Sequence, residues 1–303
     1  IQIIPAIVNE VEQLDVYQRT PAWVIPKPDR PMKGIEKWLF QKIPFTQTLF
    51  RIWLYWVHEL MAIAFVKDTR LMKLLRKLAT RYIKKIVKDV ALQQKLIPNY
   101  LIGCKRILLS NEYYQALIKK NVEVIVDGIA EVNERGILTK DGVQRNIDAI
   151  VLATGFQAAE AANAFSVQGK NGKYLNEVWQ DGAEAYLGTS VAGFPNFFFV
   201  VGPNTGLGHS SMILMIEAQV QYILDGLQYL QKNKLYTADV KAEIQKKYNQ
   251  DIQEKLSKTV WQNGGCKSWY QTKDGKNVTL WPGFTFAFMN KTRHFEPSKY
   301  ELS

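Results

Sequence analysis

In the stretch GCKRILLS two cations, Lys105 and Arg106, stand side by side after a Gly103–Cys104 turn. Neighbouring side chains of an extended segment point to opposite sides. One of the two can therefore grip a phosphate while the other faces a different cavity. A further cation, Arg19, is followed by Thr20 in VYQRTP, where a short strand ends. In a dinucleotide-binding fold the chain end after the second strand meets the adenosine ribose. An acidic residue there accepts from the 2′-hydroxyl, whereas an Arg pairs with a 2′-phosphate. The planar guanidinium suits that task because its fork matches phosphate oxygens. By spacing alone, solvated surface charge is as good a reading of Arg19 and the better reading of Lys105 and Arg106.

A third stretch, VVGPNTGLGHSSMILMIEAQ, orders a strand, a turn with Gly202, Gly206 and Gly208, and a helix. Glycines let backbone approach a ligand closely, and a helix N-terminus offers unpaired N–H groups to oxygens. It is not GxGxxG, and alone it is a weak signal. Weaker still is DAIVLATGF, an apolar run ending in a glycine turn. His209, Ser210 and Ser211 are neighbours, but no acid is spaced to orient a triad, so a hydrolase is disfavoured. With three scattered histidines and two distant cysteines, Cys104 and Cys266, the sequence has no metal-ligand spacing and no disulfide framework. That cysteine usage points to a reducing, cytoplasmic setting.

The elements that must carry these residues follow from the pattern. The composition, 47% hydrophobic and 22% charged over 303 residues, builds a core and leaves room for one large or two ordinary domains. Ile3, Ile4, Ile7 and Val11 form one stripe of a helix over 1–11 that Pro5 restricts to a start near the first residue. LDVYQR is a strand and TPAWVIPKPDRP a proline-broken loop. A helix followed by a strand is half of a βαβ unit, so a strand and a glycine-rich turn are expected before Ile1. Residues 34–94 read as helical throughout. Within them LFRIWLYWVHELMAIAFV holds Arg51, His58 and Glu59, costly inside a bilayer, and reads as a buried or interfacial helix. RLMKLLRKLATRYIKKIVKDV sets Leu71, Leu74, Leu75, Leu78, Ile83, Ile86 and Val87 against a basic side. Such a helix is the outside of a bundle or a peripheral membrane contact through residues 70–90. The net charge of +11 admits acidic partners. Short strands separated by turns run from 122 to 147. DAIVLATGF and NFFFVVG read as buried strands, and helices are expected over 210–232 and 238–257.

Taken in order, IQIIPAI…VYQRTPAWVIP, GCKRILLSNEYYQAL, IVLATGF, GFPNFFFVVGPNTGLGHSSMILMIEAQ and SWY resemble the flavin-containing monooxygenases of the Baeyer–Villiger type. The resemblance spans most of the chain, is weakest over 34–94, and is specific only as an ordered set. It implies an α/β fold of two interleaved Rossmann-like dinucleotide-binding domains, incomplete here, with a helical insertion. The segments would be 1–32 and 98–150 for the NADPH domain, 33–97 for the insertion and 151–303 for the C-terminal part of the FAD domain. The glycine-rich turns of both domains would precede Ile1. It implies FAD and NADP as cofactors and, as partners, a small ketone and O2 without nucleic acid. The product is an ester or lactone. By the same resemblance Arg19, Thr20 and Lys105 contact the 2′-phosphate, and Arg106 is catalytic, stabilising negative charge beside the flavin. Thr154, Gly155, Asn204 and Met212 lie on the FAD side, and Trp269 closes over the nicotinamide end. An N- or S-oxygenating flavin monooxygenase is the alternative chemistry. An inactive truncated fragment or a basic membrane-surface module is the alternative of another class.

Overall fold

The computed structural model describes residues 1–66, 69–155 and 166–303. They form two compact units, one of residues 1–31 and 72–155 and the other of residues 32–71 and 156–303. Helices and strands are mixed in both.

The first unit opens with a single-turn helix, α1 (Ile3–Ile7), and strand β1 (Leu14–Tyr17). β1 pairs in parallel with β4 (Val122–Ile125), in register from Leu14↔Val122 to Tyr17↔Ile125. A second parallel pair joins β2 (Val24–Ile25), inside the proline-broken stretch, to β3 (Leu108–Leu109). Parallel pairing requires long crossovers, which here contain α4 (Thr69–Ile86), α5 (Val90–Leu96) and α6 (Tyr113–Leu117). The antiparallel meander β5 (Ile129–Asn133), β6 (Gly136–Thr139) and β7 (Gln144–Asn146) follows. Arg145 ties it to the parallel pair, bonding Glu123 at 3.1 Å and lying 3.8 Å from Asp15. Trp23 is buried and donates its indole N–H to the Tyr100 carbonyl at 3.0 Å, while the Tyr100 hydroxyl donates to Pro21 O at 2.9 Å.

The face that α4 buries is not the stripe read from its leucines. Met72, Ala79, Ile83 and Val87 are buried, whereas Leu71, Leu74 and Leu78 are exposed. The apolar arc is wider than the surface available to cover it, and the packed edge is the one with the small residue, Ala79.

The second unit holds α2 (Gly34–Lys42), α3 (Pro44–Val66), α7 (Leu175–Val178), α8 (Met212–Lys232), β8 (Ala238–Val240), α9 (Ala242–Leu256), α10 (Val260–Asn263), α11 (Thr285–Lys291) and β9 (Tyr300–Leu302). Its core joins Tyr186, Leu187, Tyr222, Leu230, Phe295 and Tyr300, with β8 and β9 antiparallel beneath them. The buried hydroxyls of Ser190, Tyr300 and Tyr222 form a chain at 3.0 Å per link, which answers the need of buried polar groups for partners.

Two expected strands do not form. Residues 148–155 lie outside any strand and are exposed, Leu152 to 81%; Phe156 of that motif lies outside the described residues. Residues 196–202 contribute one isolated bridge, Phe198↔Ser190, and Val200 and Val201 are exposed. A buried strand needs a neighbouring strand along its length to satisfy its backbone; among the described residues 148–155 pair with none, and 196–202 are held by single bonds such as Phe199 N–H to Thr189 O at 2.8 Å. Neither cysteine is a free thiol, unlike the reading that set both outside any disulfide framework.

Replacing Trp23 by Ala removes a fully buried indole and orphans the Tyr100 carbonyl. It is expected to cost about 3–5 kcal/mol, read as an earlier unfolding transition in urea.

Candidate functional site

The β1 ladder runs one residue past the strand, since Gln18 N–H donates to Ile125 O at 2.8 Å. Tyr113 hydroxyl donates to the Gln18 amide oxygen at 3.1 Å and fixes that end. Arg19 and Thr20 come next, exposed, where the chain leaves the sheet. Lys105 precedes β3 and is half-buried, with Nζ 5.3 Å from the centroid of the Tyr100 ring. Burial lowers its ammonium pKa first, and the positive charge of Arg19 lowers it further. The charge of Arg19 is thus felt at Lys105. Among the described residues neither forms an ion pair with a carboxylate. A phosphate would neutralise charge that no side chain here balances. Arg106, the next residue, is exposed and also without an ion pair among the described residues.

In the second unit the turn before α8 is zippered to the segment 277–281. Asn204, buried and at φ 55°, donates its side-chain amide to Asn277 O at 2.9 Å and Leu280 O at 3.1 Å. Gly206 donates its N–H to Thr279 O, and its carbonyl oxygen accepts from Trp281 N–H, both at 2.8 Å. A Cβ on Gly206 would lie 2.8 Å from Thr279 O, and one on Gly208 2.9 Å from the Trp261 ring. At these two positions a side chain would thus collide with protein. Met212 opens α8 and accepts the Leu207 N–H on its sulfur at 3.3 Å, while Ser211 caps the helix by accepting from Ile213 N–H. Gln219, deep on α8, accepts from Val201 N–H at 2.8 Å and donates to Gly188 O and Thr189 Oγ1 at 2.9 Å.

The buried pair Glu59–His209 escaped the sequence reading. His209 Nε2 lies 3.7 Å from Glu59 Oε2, and the other carboxylate oxygen accepts from Phe286 N–H at 3.3 Å. Thr285 Oγ1 is 3.5 Å from the same His209 nitrogen, and Phe65 stacks on Trp261 with centroids 5.8 Å apart beside it. Burial depresses the His209 pKa, and Glu59 opposes that shift. The one available signal was a Glu inside an apolar helix, a residue almost never buried without a partner; no spacing could name that partner.

Asn204 and Met212 stand at the two ends of one loop before α8, and Arg19 and Lys105 both lie in the first unit. Thr154 and Gly155 stand in the exposed stretch after β7, Gly155 at φ 90°. Trp269 is 45% exposed, its ring against Tyr270. No cluster of three metal-ligating side chains occurs among the described residues.

No family model matches the chain. Two relatives, each called a Baeyer–Villiger monooxygenase, align over its whole length, one from Pseudomonas aeruginosa at 47% identity and one from Streptomyces coelicolor at 44%. By sequence, the chain is similar to Baeyer–Villiger monooxygenases along its whole length. It spans 58% of the length of each of these two relatives. An FAD-binding monooxygenase of Aspergillus niger is 33% identical over 96% of the chain and is covered to 49%. Two solved structures share the fold. OTEMO, crystallised with FAD and NADP, superimposes with a TM-score of 0.86 at 21% identity, over the whole chain and 64% of OTEMO. The cyclohexanone monooxygenase of Rhodococcus bound to NADP+ does so with 0.85 at 24%, also over the whole chain and 64% of its partner.

His209 is held neutral by burial, and its folded pKa lies below the ordinary value near 6.5. In the unfolded chain it binds a proton more readily. Its contribution to stability is therefore complete above that value and is lost as pH falls below about 6.5. Urea midpoints compared at pH 8 and pH 5 should drop for the native sequence, and His209→Asn should remove part of that slope.

Proposed function

We propose that this chain serves a Baeyer–Villiger monooxygenase, an enzyme that uses NADPH and O2 to insert oxygen next to a ketone carbonyl, giving an ester or lactone. The observation that carries the proposal is the Arg19–Lys105 pair at the end of β1. A 2′-phosphate is the anion such a pair recognises, and it distinguishes NADPH from NADH. Thr20 adds a hydroxyl at the same strand end. FAD, when bound, would supply the redox chemistry and the activation of O2.

The chain's own residues supply position and charge. Arg106 follows Lys105 and is assigned a different anion. Its task is to hold a fixed positive charge where negative charge develops during attack on the ketone, an effect that grows as water is excluded. Met212, Asn204, Thr154 and Gly155 are assigned to the FAD side and Trp269 to the nicotinamide end. Asn204 would act there by shaping the loop, since its amide N–H groups are spent on backbone carbonyls.

We assign residues 1–32 and 98–150 to an NADPH-binding domain, 33–97 to a helical insertion and 151–303 to part of an FAD-binding domain, both domains Rossmann-like. The parallel pairs β1–β4 and β2–β3 support this, as does the interruption of the first compact unit after residue 31.

Arg19→Ala is expected to raise the Michaelis constant for NADPH roughly ten- to a hundredfold, the loss of a charged hydrogen bond. The constant for NADH should stay unchanged, and steady-state kinetics with both cofactors checks this. Arg106→Ala should retain NADPH-dependent reduction of the flavin yet lower ester formation by about a hundredfold or more. Stopped-flow absorbance alongside product analysis with a cyclic ketone separates the two steps. Sulfoxide from a thioether with no ester from any ketone would favour the N- or S-oxygenating alternative.

A further inference from the structure

The helix α3 is docked at one end and bare at the other. Its last third packs within its own unit: Glu59, Ala62, Ala64 and Phe65 are buried. Its first two-thirds carry exposed apolar side chains on every side, among them Phe45 at 65%, Trp53 at 58% and Leu49 at 49%. Ile52, Leu54 and Trp56 are exposed as well, and 49, 50, 52, 53, 54, 56 and 57 together cover more than a full turn of the helix. A protein partner would cover one stripe. A wrapping apolar medium covers them all.

α2 lies antiparallel in sequence order as the other arm of a hairpin, held by Phe40 against Phe50 with centroids 5.8 Å apart. It adds exposed Ile35 and Trp38 to the surface. Lys37, Lys42 and Arg51 rim this surface and have no ion pair among the described residues. Glu36 is the one acid on α2, and Glu59, the one acid on α3, is buried at the docked end.

We propose that the exposed part of the α2–α3 hairpin inserts into the interfacial layer of an anionic lipid bilayer. Aromatic Trp sits well at the boundary between headgroups and chains, and Lys and Arg stems reach out to phosphate. The positive rim selects negatively charged lipid. The helix passes the length and hydropathy test for crossing a membrane. It does not cross, because the end from Glu59 onward is occupied inside the protein. Residues 44–58 rise roughly 22 Å at about 1.5 Å each, short of the ~30 Å hydrocarbon core. The hairpin therefore lies in one leaflet. The basic helix α4, with its exposed Leu74 and Leu78, is a separate surface and is not needed for this contact.

The test is co-sedimentation of the purified protein with phosphatidylcholine vesicles, with and without phosphatidylglycerol, while Trp emission is followed. Binding to the anionic vesicles with a blue-shifted emission is expected. Trp53→Glu with Trp56→Glu should weaken that binding by about tenfold or more while the thermal unfolding midpoint holds, because both side chains are exposed. Lys37→Glu with Lys42→Glu should reduce the preference for phosphatidylglycerol. Absence of vesicle binding overturns the proposal, as does binding that the Trp substitutions leave intact. A dimer in gel filtration that the same Trp substitutions dissociate also overturns it, since a second copy would then cover the surface. None of these outcomes depends on ketone oxidation or on NADPH, so failure here leaves the oxygenase reading untouched.

Discussion

Holding two like charges near each other with no anion between them costs free energy, and the fold carries that cost at Arg19 and Lys105. Both cations flank strands of parallel pairs, Arg19 after β1, which runs alongside β4, and Lys105 before β3, which runs alongside β2. The Trp23–Tyr100 bond and the Tyr113–Gln18 bond hold the chain beside these strands. Partial burial of Lys105 strengthens the repulsion, because a less polar surrounding screens charge less than water does. The arrangement is consistent with a site that is completed by a ligand rather than by another side chain.

The second unit rests on a different principle, the satisfaction of buried polar groups by a loop that is folded back on itself. Asn204 closes on the 277–281 segment, and Gln219 reaches from α8 to three backbone positions and one hydroxyl. Each buried donor that finds an acceptor removes a penalty of about 1–3 kcal/mol. The loop before α8 is thereby held rigid whatever stands in front of it.

Much of this was legible from residue order. α8 and α9 announce themselves by a 3.6-residue apolar period, and the meander by glycine turns between short β-branched runs. Arg19, Lys105 and Arg106 could be singled out by type and by place after predicted strands. What could not be read is whatever depends on a partner elsewhere. DAIVLATGF and NFFFVVG have strand composition, but an apolar run becomes a strand only when a neighbour takes up its hydrogen bonds. The glycines of PNTGLGHS read as room for a ligand, and a side chain at Gly206 or Gly208 would meet Thr279 or Trp261. Leu74 and Leu78 follow the helical stripe and yet face outward, because periodicity gives the width of an apolar arc and not which edge is covered. Glu59 and His209 stand 150 positions apart, so their contact had no local trace.

α3 is one uninterrupted helix from its exposed aromatic end to the buried Glu59. A continuous backbone ladder bends little, so the element behaves as a lever with its fulcrum at Phe65 and Trp261. A tilt of the outer arm would therefore bear on the Glu59 carboxylate and, through it, on His209, which lies two residues before the Ser211 that caps α8.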